Sequence, residues 1–148
     1  MRTKLRTRVA AAVVALLLGG LLALFTTSGP AVAFFSGGLF LDVQVESPAQ
    51  LLARGAAVEV PLEVTCNAVG PVDVFVTVTQ RSGSGATQGF GSAQVGCTGA
   101  GQQVTVTVQV FGAKAFRRGT ASAVAEVFGC NNVTCGRETD SEVIEIQR

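Results

Sequence analysis

The sequence predicts an all-β protein: an immunoglobulin-like antiparallel β-sandwich of about seven strands, preceded by a secretory signal peptide. Three observations carry this. From residue 41 onward, apolar and polar residues alternate at period two nearly everywhere, and no stretch keeps a 3.6-residue period. Turn residues interrupt the alternation every 8–15 residues. All four cysteines fall in the same part of the chain, as in small exported domains stapled by disulfides.

The N-terminus comes first. Arg2, Lys4, Arg6 and Arg8 precede an apolar run, VAAAVVALLLGGLLALF, over residues 9–25. Gly29 and Pro30 follow, then Ala31-Val32-Ala33. A basic segment, an apolar core and a small-x-small exit form the pattern of a signal peptide, with cleavage expected after Ala33. The alternative is an uncleaved anchor, but the run falls short of the roughly 20 residues that span a bilayer. No adjacent Arg pair marks the twin-arginine route, and no Cys follows the run to take a lipid. The polar ending EVIEIQR offers no second apolar segment, so no stable membrane insertion is expected after cleavage. The domains are therefore residues 1–33, the signal peptide, and 34–148, one sandwich domain without internal repeats. A domain of that size buries roughly 65% of its unfolded surface. The predicted location is secreted and extracellular.

The strands follow in order. Leu41, Val43 and Val45 alternate with Asp42, Gln44 and Glu46. Ser47-Pro48 and the segment to Gly55 make a connection. Val58 to Cys66 alternate again, with Pro61 on the outward set, which predicts an edge strand or a bulge. Gly70-Pro71 is a turn, and Val72, Val74, Val76 and Val78 define the next strand. Residues 81–89, RSGSGATQG, read as a flexible loop. A shorter strand covers about 90–97, and Thr98 to Gly101 turn the chain. Val104 to Val110 alternate with Thr and Gln. Gly112 to Gly119 connect to a strand over 120–130, with Ala121, Ala123, Ala125 and Val127 on one face. A loop from Cys130 to about Asp140 precedes the last strand, Glu142–Gln147. One apolar face per strand implies antiparallel sheets packed on a common core with a Greek-key connection. A small closed barrel is the alternative.

Cys66, Cys97, Cys130 and Cys135 allow three connectivities. Parity sets Cys66 in register with Val58, Val60, Leu62 and Val64, facing the core, and Cys97 with Ala93 and Val95. Cys130 shares the face of Ser122, Glu126 and Phe128, which argues against a buried 66–130 bridge of the antibody type. The pairing predicted is 66–97 and 130–135. Zinc is not expected, because only 130 and 135 are closely spaced. Four residues separate that pair, against the two of a redox motif.

The stretch from Thr65-Cys66 through Val72–Gln80 and Gly89-Phe90-Gly91 to Cys97-Thr98-Gly99, with the valine–threonine strand after it, resembles uncharacterised small secreted immunoglobulin-like proteins of high-GC Gram-positive bacteria. The likeness covers about residues 57–130. The excess of Arg over Lys, nine to two, fits the same bacterial source. More distantly the chain resembles the neocarzinostatin family of chromophore-carrying apoproteins, whose second bridge closes a short loop like Cys130–Cys135. The 66–97 span departs from that family's short first bridge, so no ligand contact carries over.

Composition excludes several functions. With no His, the chain has no Ser-His-Asp triad, no Cys-His pair and no His-ligated metal. No calcium loop, phosphate loop, serine elbow or dinucleotide fingerprint appears. No catalytic, cofactor-binding or metal residues are assigned, and no enzyme activity is expected. Ser-Lys catalysis has one lysine, Lys114, after residue 33. Residues 34–148 hold seven basic and ten acidic residues, a net of −3, which gives no case for nucleic acid or an anionic surface.

Candidate contacts remain, each with a plainer reading. Lys114, Arg117 and Arg118 surround Phe116 and suit an anion or partner contact, or a solvated turn with Phe116 capping the core. Phe34, Phe35 and Phe40 make a sticky patch or fold onto the nearest sheet. Loop 81–91, with Arg81 and Phe90, is an end-loop site or merely flexible. Glu59 and Glu63 share a strand face as a carboxylate pair or as a soluble surface. Asn132-Val133-Thr134 matches a glycosylation sequon that a bacterium leaves unused. The function read from all this is a secreted, non-enzymatic, disulfide-stabilised sandwich binding an unidentified extracellular partner or small ligand. The alternatives are a structural, self-assembling surface protein built on the strands VDVFVTVTQ and QQVTVTVQV, and a small-molecule carrier of neocarzinostatin type.

Overall fold

A computed structural model describes residues 38–83 and 85–148. These belong to the second of two units, Met1–Ala33 and Phe34–Arg148. The expected signal peptide, Phe34 and Phe35 lie outside the described residues.

Eight strands form: β1 (Leu41–Val45), β2 (Ala49–Leu52), β3 (Ala57–Cys66), β4 (Pro71–Ser82), β5 (Gly85–Gly96), β6 (Gln102–Phe111), β7 (Gly119–Cys130) and β8 (Cys135–Gln147). One sheet runs β1-β3-β6 and the other β8-β7-β4-β5. Two strands join them. β2 pairs antiparallel with β3 and parallel with β8, while β5 pairs along its length with β4 and through Gln88–Phe90 with β6. The ladder thus closes on itself, with β1 as an extra strand on β3. At the coarse level this is an all-β, sandwich-like fold, and its closed ladder of seven strands is the small barrel that the sequence offered as the alternative.

The alternation places the core where period two requires. Val72, Val74, Val76 and Val78 of β4 are fully buried, facing Val58, Val60, Leu62 and Val64 of β3 within one cluster. Ala121 to Val127 of β7 and Ile144 and Ile146 of β8 complete it.

Four expectations need correction. The fold has eight strands and one parallel pairing rather than seven antiparallel strands. The additional strand, β2, lies in the segment read as a connection; of its residues only Ala49 is buried, so no alternation marks it. Residues 81–89 are not a flexible loop, because β4 and β5 stay paired out to Ser82 and Gly85. β8 begins at Cys135 rather than Glu142, and its first half is polar because it lies mostly exposed at a sheet edge. Pro61 marks neither an edge nor a bulge. Its carbonyl accepts the Glu46 N–H at 2.9 Å, and a strand residue's N and C=O point the same way. The missing N–H therefore faces the break between β1 and β2, where no partner is required.

The outer edges are blunted. Glu138, Asp140 and Glu142 of β8 lie opposite Val127, Ala125 and Ala123, the inward residues of β7. Inward-pointing charge on an edge strand discourages pairing with another chain. Asp140 also accepts the Val45 N–H at 2.7 Å, occupying a donor on β1. β4, one of the two strands read as assembly templates, is paired on both sides, with β5 and β7.

From β2 onward, connections alternate between the two ends of the sandwich. One end holds Cys66 bonded to Cys97 (S–S 2.03 Å) and Cys130 bonded to Cys135 (2.06 Å). The other gathers the β2–β3 turn, the β4–β5 turn, the β6–β7 connection and the end of β8.

Candidate functional site: a basic end

Six of the seven cations of residues 38–148 fall at the end opposite the disulfides: Arg54, Arg81, Lys114, Arg117, Arg118 and Arg148. The seventh, Arg137, sits near the disulfides and is paired with Glu126 at 3.3 Å, the only ion pair among the described residues. In sequence only Lys114, Arg117 and Arg118 are neighbours; the fold brings Arg54, Arg81 and Arg148 to the same end.

Phe116 organises this end. It is 1% exposed, and its ring lies over β5 where a Cβ on Gly89 would come within 2.9 Å of it. Its N–H donates to the Gly55 carbonyl at 2.9 Å. Phe116 is therefore a core residue closing the sandwich.

The next residue is held just as firmly. The Arg117 N–H donates to Gln80 Oε1 at 2.8 Å, and Gln80 Nε2 donates to the Arg117 carbonyl at 2.7 Å. The buried Gln80 side chain thus acts as a short piece of strand, satisfying both backbone groups of Arg117. With the backbone fixed, the guanidinium projects from a defined base.

Arg54 arrives by a strained route. Ala53 and Arg54 have φ of 45° and 58°, and Gly55 has φ of 96°. Two successive non-glycine residues in the left-handed region cost about 1–2 kcal/mol each. Glycine is required at 55, since a Cβ there would collide with the Phe116 carbonyl oxygen. The tight turn seats Arg54 beside the Phe116 segment.

Leu51, Arg54, Phe116, Arg117, Arg118 and Arg148 line a hollow of about 420 Å³. A second hollow, about 470 Å³, shares Arg118 and Arg148 and adds Glu145 and Gln147 at its wall. Four arginines therefore line two hollows that share Arg118 and Arg148, and Glu145 is the one acidic side chain in their lining. Among the described residues none of the four forms an ion pair. Planar guanidinium forks match phosphate and carboxylate oxygens in pairs, so the arrangement suits anions.

The other sequence candidates lie elsewhere. Lys114 sits against Gly85 at the start of β5 and does not line the hollows. Phe40 is tied to the fold, its N–H donating to Asn67 Oδ1 at 2.7 Å. Phe90 stacks on Phe75 with centroids 6.0 Å apart, on the outward face of β4 and β5 rather than in a loop. Glu59 and Glu63 are four strand residues apart, roughly 13 Å at about 3.3 Å per residue, too far for a glycosidase pair. Gln103 donates to Glu63 at 3.3 Å and to Glu46 at 3.1 Å. Asn132 and Thr134 lie in the turn between the bridged Cys130 and Cys135. No helix of the described residues is long and apolar enough to cross a membrane.

No protein-family model and no curated protein matches the chain. Among solved structures, it is similar to AggA, the major subunit of aggregative adherence fimbriae type I from Escherichia coli. Identity is 10% and the TM-score 0.39, over 74% of this chain and 95% of that one. It is also similar to CsgH of R. palustris, with 15% identity and a TM-score of 0.38, over 68% of this chain and 90% of that one. Likeness at this level carries no argument about function.

Proposed function

We propose that the chain is a non-enzymatic binding module that works outside the cell and engages an anionic partner through the basic end of the sandwich. One observation carries this reading: four arginines, none of them in an ion pair among the described residues, line two hollows that share Arg118 and Arg148, in a domain whose net charge is −3. Two disulfides suit an oxidising compartment. The signal-like N-terminus agrees with export. The absence of His and of any catalytic motif supports a role without catalysis.

Retention on phosphocellulose tests the reading. Arg117→Ala/Arg118→Ala and Arg137→Glu change the net charge by the same amount, at opposite ends. The double variant should elute at lower salt than wild type, and Arg137→Glu should elute with wild type. Equal losses would mean that overall charge governs retention, and the reading fails.

The self-assembling surface protein is the second reading. The segregated charge favours it, because the basic end of one copy complements the net-acidic remainder of another. Light scattering should then show oligomers that grow with concentration and dissolve in salt; a monomer throughout removes this reading.

A further inference from the structure

We infer that the basic end takes a linear chain of phosphoryl groups rather than an isolated anion. The inference rests on the binding reading above and names the ligand's chemical class. Three features point to it.

The first is the sharing of residues between hollows. Arg118 and Arg148 line both, with Arg54 and Arg117 on one side and Glu145 and Gln147 on the other. One phosphate engages a guanidinium fork through two oxygens. Four forks spread over two joined hollows are satisfied by successive anionic groups, not by one. The second is residue type. All four lining cations are arginine, and the one lysine of this end lies apart. Arginine's fixed fork is matched to phosphoryl oxygens, where lysine offers a point charge. The third is the floor. The Phe116 ring is 1% exposed, so the site has no aromatic platform on which a nucleobase stacks. This favours a phosphoryl chain without bases. Such a chain comes from two sources, a phosphoanhydride polymer or a phosphodiester polymer of small polyols.

Isothermal titration of the protein, purified as its host processes it, provides the test. The probes are orthophosphate, long-chain inorganic polyphosphate, a glycerol-phosphate oligomer, poly-L-glutamate and oligothymidylate. One or both phosphoryl chains should bind roughly tenfold or more tighter than orthophosphate, and the tighter identifies the source. Arg54→Ala and Arg118→Ala should each weaken that binding roughly fivefold or more, with Arg118→Lys intermediate and Arg137→Ala unchanged. These side chains are exposed, so the variants should fold, which thermal unfolding checks. Orthophosphate or poly-L-glutamate binding as tightly as the phosphoryl chains, or oligothymidylate binding more tightly than either, would overturn the inference and leave the anionic-partner reading standing. Arg118→Ala binding like wild type would overturn it too. Binding of none of the probes would remove both.

Discussion

Gln80 is the residue whose replacement reports most directly on the architecture of the basic end. It is 4% exposed and makes reciprocal hydrogen bonds of 2.7 and 2.8 Å with the backbone of Arg117, with a longer contact of 3.5 Å to the Thr120 carbonyl. Gln80→Leu keeps nearly the same volume and removes both short bonds. Each is worth about 0.5–1.5 kcal/mol net. Arg117 is exposed, so water partly replaces what its backbone loses. The expected cost is therefore about 2 kcal/mol. At about 4 °C per kcal/mol for a domain of this size, calorimetry should show the midpoint falling by about 8 °C. Gln88→Leu is the control: that glutamine is exposed and reaches Thr79 only at 3.4 Å, so its midpoint should move by less than about 2 °C. The Gln80 variant should also lose polyphosphate affinity, because Arg117 no longer projects from a fixed base. A Gln80→Leu midpoint within about 2 °C of wild type, with binding intact, would refute the claim that this amide pins the site.

Three further outcomes follow from the same geometry. Cys66→Ala/Cys97→Ala opens a loop of sequence separation 31 and should cost about 4 kcal/mol, whereas Cys130→Ala/Cys135→Ala, separation 5, should cost about 2; urea midpoints rank the pair. Gly55→Ala places a Cβ against the Phe116 carbonyl oxygen at a φ of 96° and should destabilise by about 2–3 kcal/mol, read by circular dichroism during urea unfolding. Arg54→Gly relieves a left-handed residue at φ 58° and should stabilise by about 1 kcal/mol while weakening retention on phosphocellulose; if it destabilises, the turn is not strained as described.

What was legible in the sequence follows the physics of each strand. β4 and β3 bury one face entirely, so Val72–Val78 and Val58–Val64 announce themselves by period two. β2 was hidden because a four-residue strand joining two sheets has no face to alternate. The start of β5 was hidden by composition. Gly85-Ala-Thr-Gln-Gly reads as a flexible loop, yet Gly89 is small because the Phe116 ring and the Gln109 carbonyl fill the space beside it. Glycine marks close approach as well as freedom, and a sequence does not distinguish the two. The polar start of β8 was hidden because the strand lies at an edge and turns charge inward. Of the candidate site, Arg117 and Arg118 stand out beside Phe116 in the sequence, whereas Arg54 and Arg148 have no sequence neighbour that hints at function.

Those two residues were nevertheless recoverable by counting. In an antiparallel sandwich each strand reverses the chain, so every second connection returns to the same end. The seven strands read from the sequence already put the first, third and fifth connections and the end of the last strand together. These contain Arg54, Arg81, the Lys114–Arg118 segment and Arg148. Net charge concealed this. A value of −3 averages an end rich in arginine with a body rich in carboxylate, and says nothing of how the charges are distributed. Interactions weaken within about 10 Å at ordinary salt, so a ligand in the hollows responds to the four arginines around it far more than to acids on β1 or the disulfide end. The energetics divide in the same direction. Both bridges restrain the far end, while the left-handed turn and the crowded guanidinium groups, each unfavourable alone, are confined to the end that the disulfides leave unbridged. Local strain and like charge persist where the surrounding structure over-determines them. Here Phe116, Gln80 and the Gly55 carbonyl do so, and what they hold in place is a set of arginines that form no ion pair among the described residues.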